Sequence, residues 1–174
     1  MSGKLMTSIV LYGLIRAKEQ EIWEWYQYFL KFNEKLGYPS THLGIIGDSF
    51  KSGKLTTIKR TEAKLSKVLE NGENIKTISI YSLPEEFTQA AFDYNTFICM
   101  NQSFNHPFVI VSVPSADFIN VNMQELIADL QRFIICTEGK VFELSALESP
   151  LIYASKVNDD SDFSSLKIIE KFIF

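Results

Sequence analysis

Cysteine, histidine and proline are scarce in this chain of 174 residues, with two, two and five copies respectively. A zinc site would have to draw on Cys99, Cys136, His42 and His106, and these lack the spacing of zinc ligands. No G-x-S-x-G pattern is present, so the sequence offers no serine nucleophile elbow. The sequence therefore predicts no metal, no cofactor and no catalytic residue.

The two cysteines lie in apolar stretches of the chain. A domain of this length buries enough surface to be stable without a disulfide, and apolar surroundings raise a thiol pKa. We therefore expect Cys99 and Cys136 to be free, reduced and buried.

Long uninterrupted apolar runs are also missing. The run that follows Lys4 contains Thr7, Ser8 and Tyr12 and ends at Arg16, so it is predicted as a strand rather than a secretion signal. No stretch is long and apolar enough to cross a bilayer. We expect a cytoplasmic protein that has no membrane partner.

A phosphate-binding loop is the nearest match to a catalytic motif. Gly47 is followed by Gly53, Lys54 and Leu55, which resembles the end of a nucleotide-binding loop. However, five residues rather than four separate the glycines, and Leu55 replaces the hydroxyl that would bind magnesium. This segment is therefore predicted to be a basic loop that binds no nucleotide.

The pattern of apolar and polar residues predicts one α+β domain over residues 1–174. A nearly continuous apolar run over residues 7–14 predicts a central strand, because both faces of such a strand are covered. Apolar residues at helical spacing predict a long helix over residues 18–36 that stops at Gly37. Shorter segments complete a mixed, mainly antiparallel sheet with helices packed on it.

Two capping boxes predict further helices. Asn122 with Glu125 begins a helix to residue 136, and Ser82 with Glu85 begins one that ends near residue 92. Residues 166–174 fit either a helix or a strand. The other predicted strands are residues 42–47, 75–81, 94–101, 108–113, 141–146 and 151–155.

Charge is moderate in amount and uneven in distribution. The net charge is −4, which disfavours general binding to nucleic acid, since that depends on clustered Lys and Arg. Six basic residues nevertheless fall between Lys51 and Lys67, where Glu62 is their single acidic neighbour. Aromatic residues for base stacking are almost absent from this stretch. A protein partner is therefore predicted rather than nucleic acid, the alternative being ordinary solvated surface charge.

Four residues are the candidate contacts with such a partner. Trp23 lies on the rim of the apolar stripe of the first helix, where it either anchors a partner or completes the core. Asp159, Asp160 and Asp162 place three carboxylates within four residues. Such a concentration of negative charge can steer and contact a basic partner.

In size, acidity, aromatic content and lack of catalytic motifs, the whole chain resembles the small, acidic, cytoplasmic α+β immunity proteins of bacterial toxin systems. The resemblance implies an inhibitor that occludes the active site of a basic toxin domain. Two alternatives come from other classes: an enzyme or small-ligand-binding domain with a site built from scattered residues, and a subunit of a homo-oligomer. A deep pocket would favour the first of these, and a large apolar patch on a two-fold axis the second.

Overall fold

Eight strands form one sheet, and every strand pairing within the described residues is antiparallel. The structure, a computed structural model, describes residues 3–16, 18–103 and 105–174. The strands are β1 (Leu5–Ile15), β2 (His42–Gly47), β3 (Thr56–Thr57), β4 (Ile75–Ser82), β5 (Thr96–Asn101), β6 (Phe108–Pro114), β7 (Ile134–Ser145) and β8 (Lys167–Ile173). Their order across the sheet is β3-β2-β4-β5-β6-β1-β7-β8. The predicted α+β class is confirmed.

Five helices and three short 3₁₀ turns connect these strands in the described part of the chain. The helices are α1 (Glu19–Leu36), α2 (Ile58–Glu70), α3 (Ala90–Asp93), α4 (Met123–Leu130) and α5 (Pro150–Ala154). The 3₁₀ turns are Ser115–Asn120, Ala146–Glu148 and Asp160–Asp162.

The sheet has a buried cluster on each face, which explains why β1 is apolar along almost its whole length. Ile9 and Leu11 point into the first cluster, whereas Val10 and Tyr12 point into the second. Alternate side chains of a strand face opposite sides of the sheet, so a strand covered on both faces must be apolar at consecutive positions. The position of β1 between β6 and β7 confirms the predicted central strand.

The three longest helices cover the first face of the sheet, with α1 between the other two. The Tyr26 hydroxyl of α1 donates a hydrogen bond to Glu62 of α2 over 3.3 Å. On the other side of α1, the Tyr28 hydroxyl donates to Asp129 of α4 over 2.8 Å. The shorter α3 and α5 lie on the second face with the C-terminal segment.

Helix α1 forms for the predicted reason and ends at the predicted residue. Its buried side chains include Trp25, Tyr26 and Phe29, which follow the spacing of one helix face. Gly37 then adopts φ 93°, a left-handed conformation that glycine allows without steric cost and that commonly terminates helices.

The helix predicted over residues 122–136 is correct at its start and wrong at its end. The Asn122 side chain caps α4 by accepting a hydrogen bond from the Glu125 backbone N–H over 3.1 Å. The helix stops at Leu130, because Ile134 pairs with Ile15 and begins β7. Pairing with a central strand has prevailed over local helix propensity.

Two other predicted elements are also wrong. Residues 151–154 of the strand predicted over 151–155 lie in helix α5, because Ser149 accepts a hydrogen bond from the Ile152 N–H and Pro150 occupies the first helical position. The helix predicted from Ser82 is reduced to the single turn of α3, since Ser82 itself lies in β4. The undecided C-terminal segment is strand β8, which forms one edge of the sheet.

Candidate partner-binding groove

An open groove of about 430 Å³ runs between α1 and α4 on the first face of the molecule. The floor contains the half-buried Phe32, Leu36 and Val121 and the buried Leu126, which pack on the first core cluster. The exposed Asn120 stands at its rim. The groove thus combines an apolar floor with access from solvent.

The spacing of residues on α1 accounts for one wall. Tyr28, Phe32 and Leu36 are four residues apart and therefore lie along one line of the helix surface. This second row runs beside the fully buried stripe and extends the apolar surface of α1 towards α4. The 3₁₀ turn Ser115–Asn120 directly precedes α4, which forms the opposite wall.

Charges of opposite sign face each other across the groove. Lys31 and Lys35 belong to the α1 wall, whereas Glu125 and Asp129 belong to the α4 wall. The Tyr28 hydroxyl donates to Asp129, and burial together with that hydrogen bond raises the Tyr28 pKa. The phenol therefore remains a protonated donor throughout the physiological pH range.

This arrangement is suited to holding an amphipathic segment of another molecule. The apolar floor can bury apolar side chains, and the two charged walls can orient polar ones. Histidine and cysteine are both missing from the groove lining that the structure describes. The lining also includes no serine or threonine that could act as a nucleophile.

Trp23, a predicted contact residue, lies on the other side of α1. Its half-buried side chain packs against the first core cluster, with its ring centroid 5.3 Å from that of Tyr26. Trp23, Ser66 and Leu69 line a shallow depression of about 170 Å³ between α1 and α2. Trp23 therefore has no part in the α1–α4 groove.

The predicted acidic contacts form a tight turn rather than an open loop. Asp159 and Asp162 form a reciprocal capping box, in which the Asp162 carboxylate accepts from the Asp159 N–H over 2.9 Å. Burial, together with the neighbouring Asp160 carboxylate, raises the pKa of the Tyr153 hydroxyl of α5. The neighbouring Phe163 packs on the second core cluster, with its ring centroid 5.2 Å from that of Tyr153.

The structure consequently separates the predicted contact residues into two places. Trp23 packs on the first face of the sheet, and the three aspartates follow α5 on the second face. They do not form one site. The residues predicted as contacts do not include any that line the groove. The row of Tyr28, Phe32 and Leu36 is a sequence signal for one of its walls.

The two thiols differ in their surroundings. Cys99 is free and buried in β5, and burial raises its pKa to about 12. Cys136 is also free but only half-buried, so the prediction that both thiols are buried is wrong for Cys136. Cys136 pairs with Gly13 at the register shift between β1 and β7, and it precedes the part of β7 that pairs with β8, which begins at Glu138.

The described residues contain no group of three or more His, Cys, Asp or Glu side chains that could hold a metal ion. In the same part of the chain, no helix has the length and apolar character needed to cross a membrane.

Comparisons with known proteins give a structural likeness but assign the chain to no family. No protein-family model matches the chain, and no curated protein matches it in sequence. The chain is similar in structure to a protein described as Pseudomonas aeruginosa T6SS protein PA0821, with a TM-score of 0.58 at 14% sequence identity. The similarity covers 82% of this chain and 41% of the other, so this chain spans less than half of its neighbour's length. At this identity the likeness establishes a shared fold.

Proposed function

We propose that this chain is a protein-binding inhibitor, an immunity protein that neutralises a cognate bacterial toxin by covering its active site. The observation that carries the proposal is the open α1–α4 groove, with its apolar floor and its two walls of opposite charge. An accessible groove of this kind fits a segment of a folded partner better than it fits an enclosed small molecule.

The fold likeness supplies the biological setting of the proposal. The neighbour of known structure is described as a T6SS protein, which is compatible with a chain that belongs to a toxin system. The likeness extends over 82% of this chain.

The mode of inhibition we propose is steric. A loop or helix of the toxin would occupy the groove, and the surface around it would then cover the toxin's catalytic residues. The apolar floor would supply most of the affinity, because contacts that exclude water dominate the energy of protein interfaces. Lys31 and Lys35 facing Glu125 and Asp129 would fix the orientation of the bound segment.

The acidic turn of Asp159, Asp160 and Asp162 has a separate part in this proposal. It lies on the opposite face from the groove, and so it would contribute to the approach of a basic toxin rather than to the buried contact. Long-range attraction of this kind mainly accelerates association and weakens as salt increases.

A growth-protection assay tests the proposal. The candidate toxin is the product of the neighbouring reading frame, expressed in a host cell alone or with this chain. We expect the wild-type chain to restore growth and an Asn120→Arg variant, which fills the groove from its exposed rim, to fail. Gln89→Arg, which makes the same change from a neutral amide to arginine at an exposed residue outside the groove lining, is the matched control and should protect like the wild type.

Two results would contradict the proposal. Equal protection by the wild type and Asn120→Arg would show that the groove is not the contact surface. Protection accompanied by chemical modification of the toxin or its product, without a stable complex, would indicate an enzyme instead.

A further inference from the structure

A second hollow, of about 320 Å³, lies at the β3 edge of the sheet. It is enclosed by the loop between β2 and β3 and by the first two turns of α2. Gly53 turns the loop with φ +64°, a conformation that disfavours residues with a side chain. The cationic residues that line the hollow are Lys51, Lys54, Arg60 and Lys64.

The local charge is strongly unbalanced. Residues 49–69 hold six of the 17 basic residues and one of the 21 acidic residues of the chain. Within the part of the chain that the structure describes, the ion pair found is the one between Lys156 and Glu138, and none of the residues that line the hollow takes part in it. The four cations that line the hollow therefore converge without a carboxylate partner in the described structure.

Lys64 is held in position at the hollow. Its ammonium group donates a hydrogen bond to the Ser49 carbonyl oxygen over 2.9 Å, and it lies 4.3 Å from the centroid of the Phe50 ring. A lysine fixed in this way loses less side-chain entropy when an anion binds than a freely rotating lysine does. Its remaining hydrogen-bond donors are available to such an anion.

We propose that this hollow, defined by Lys51, Lys54, Arg60 and Lys64, binds the carboxylates of an acidic segment on a protein partner. The guanidinium of Arg60 provides the planar, bidentate donor that suits a carboxylate, and the three lysines add charge around it. The inference does not depend on toxin inhibition, since it rests on the charge and shape of a hollow at the β3 edge of the sheet and not on the α1–α4 groove.

The surroundings of the hollow favour a protein segment over nucleic acid. The rest of the chain is acidic, so a long polyanion would be repelled wherever it left the hollow. The Phe50 ring already lies beneath the Lys64 ammonium group, and no other aromatic residue is present in the hollow lining that the structure describes. Stacking of unpaired bases therefore lacks its usual platform.

Fluorescence anisotropy with a short, labelled, glutamate-rich peptide tests the inference on the intact chain. We expect the wild type to bind the peptide at low salt and to bind it more weakly at physiological salt. Two double variants, Arg60→Glu with Lys64→Glu and Lys51→Glu with Lys54→Glu, should each weaken binding by about tenfold or more. Lys167→Glu with Lys171→Glu makes the same change in net charge at exposed positions of β8 and should leave binding nearly unchanged.

Thermal unfolding of each variant confirms that it is folded. If the Arg60→Glu, Lys64→Glu variant is unstable, the Lys51→Glu, Lys54→Glu variant still tests the inference. An equal loss in all three double variants would overturn the inference, because binding would then depend on net charge alone. Failure of the wild type to bind the peptide at low salt would overturn it as well. Tighter binding of a single-stranded oligonucleotide of matched charge would assign the hollow to nucleic acid instead.

Discussion

The hydroxyl of Tyr28 on α1 donates a hydrogen bond to the carboxylate of Asp129 on α4 over 2.8 Å. The bond links two residues that are 101 positions apart in the sequence. The guanidinium of Arg132 also lies 5.9 Å from the centroid of the Tyr28 ring. Tyr28 thus connects the two walls of the groove and helps to set the distance between them.

Removing this hydrogen bond should loosen the groove. Tyr28→Phe keeps the ring and loses the donor, so we expect a decrease of about 1 kcal/mol in the free energy of unfolding. Asp129→Asn leaves an oxygen that can accept from the phenol and should cost less. Denaturant unfolding measures both changes, and wild-type stability of Tyr28→Phe would show that the bond does not hold α4 in place.

Much of the fold follows from residues whose signals are local. The stripe of Trp25, Tyr26 and Phe29 and the stop at Gly37 are sufficient to predict α1. By contrast, the end of α4 is determined by the pairing of Ile134 with Ile15, a partner that local periodicity does not reveal. The Ser149-Pro150 start of α5 is a local signal that was outweighed by the apolar character of the segment that follows it.

The candidate site was harder to predict for a physical reason. A groove is formed by two elements, and the α1 row of Tyr28, Phe32 and Leu36 reveals only one of its walls. The predicted contacts, a tryptophan and three carboxylates, follow from chemical type alone. Their distribution over the two faces of the sheet depends on topology, which is a long-range property of the chain.

Trp23→Ala tests whether this tryptophan packs or binds. Because the side chain is half-buried against the first core cluster, we expect a loss of about 1–3 kcal/mol in stability, less than for a fully buried tryptophan. The affinity for the toxin, measured at a temperature where the variant remains folded, should change little. A loss of affinity of about 2 kcal/mol or more with unchanged stability would instead identify Trp23 as an anchor.

Neutralising the acidic turn should change the rate of binding more than the fold. With Asp159, Asp160 and Asp162 all replaced by Asn, we expect slower association with the toxin and a flatter dependence on salt. Asn at position 159 can still cap the turn, so stability should fall only slightly. Stopped-flow mixing at low and high salt measures the rates.

A matched control separates local charge from net charge. Replacing Glu19, Glu21 and Glu24 of α1 by Gln removes the same number of carboxylates elsewhere. If this control slows association as much as the triple Asn variant does, the acidic turn has no special part in steering.

Stability at acidic pH should depend on Glu148. Its carboxylate accepts hydrogen bonds from the side chains and backbone N–H groups of Ser164 and Ser165. The hydrogen bond from the Ser165 hydroxyl is the largest of the causes that lower the Glu148 pKa from 4.5 to about 2. A carboxylate whose pKa is lower in the folded state stabilises the fold above its unfolded pKa and loses that contribution as pH falls.

We therefore expect the Glu148 contribution to decrease as pH falls from about 4.5 to about 2. Glu148→Gln should be less stable than the wild type at neutral pH, and the difference should shrink over this interval. Glu85→Gln, at an exposed glutamate, is the control. A stability difference for Glu148→Gln that stays constant from pH 7 to acid, measured by thermal unfolding, would contradict this assignment.

Calorimetric titration of the purified toxin from the neighbouring reading frame with this chain tests the central claim most directly. We predict a one-to-one complex with the wild type and an affinity at least about tenfold weaker for Asn120→Arg and for Lys31→Glu with Lys35→Glu. Lys167→Glu with Lys171→Glu, which makes the same change in net charge outside the groove lining, should bind like the wild type. Wild-type affinity in both groove variants, with their folds intact, would contradict the claim that the α1–α4 groove holds the toxin.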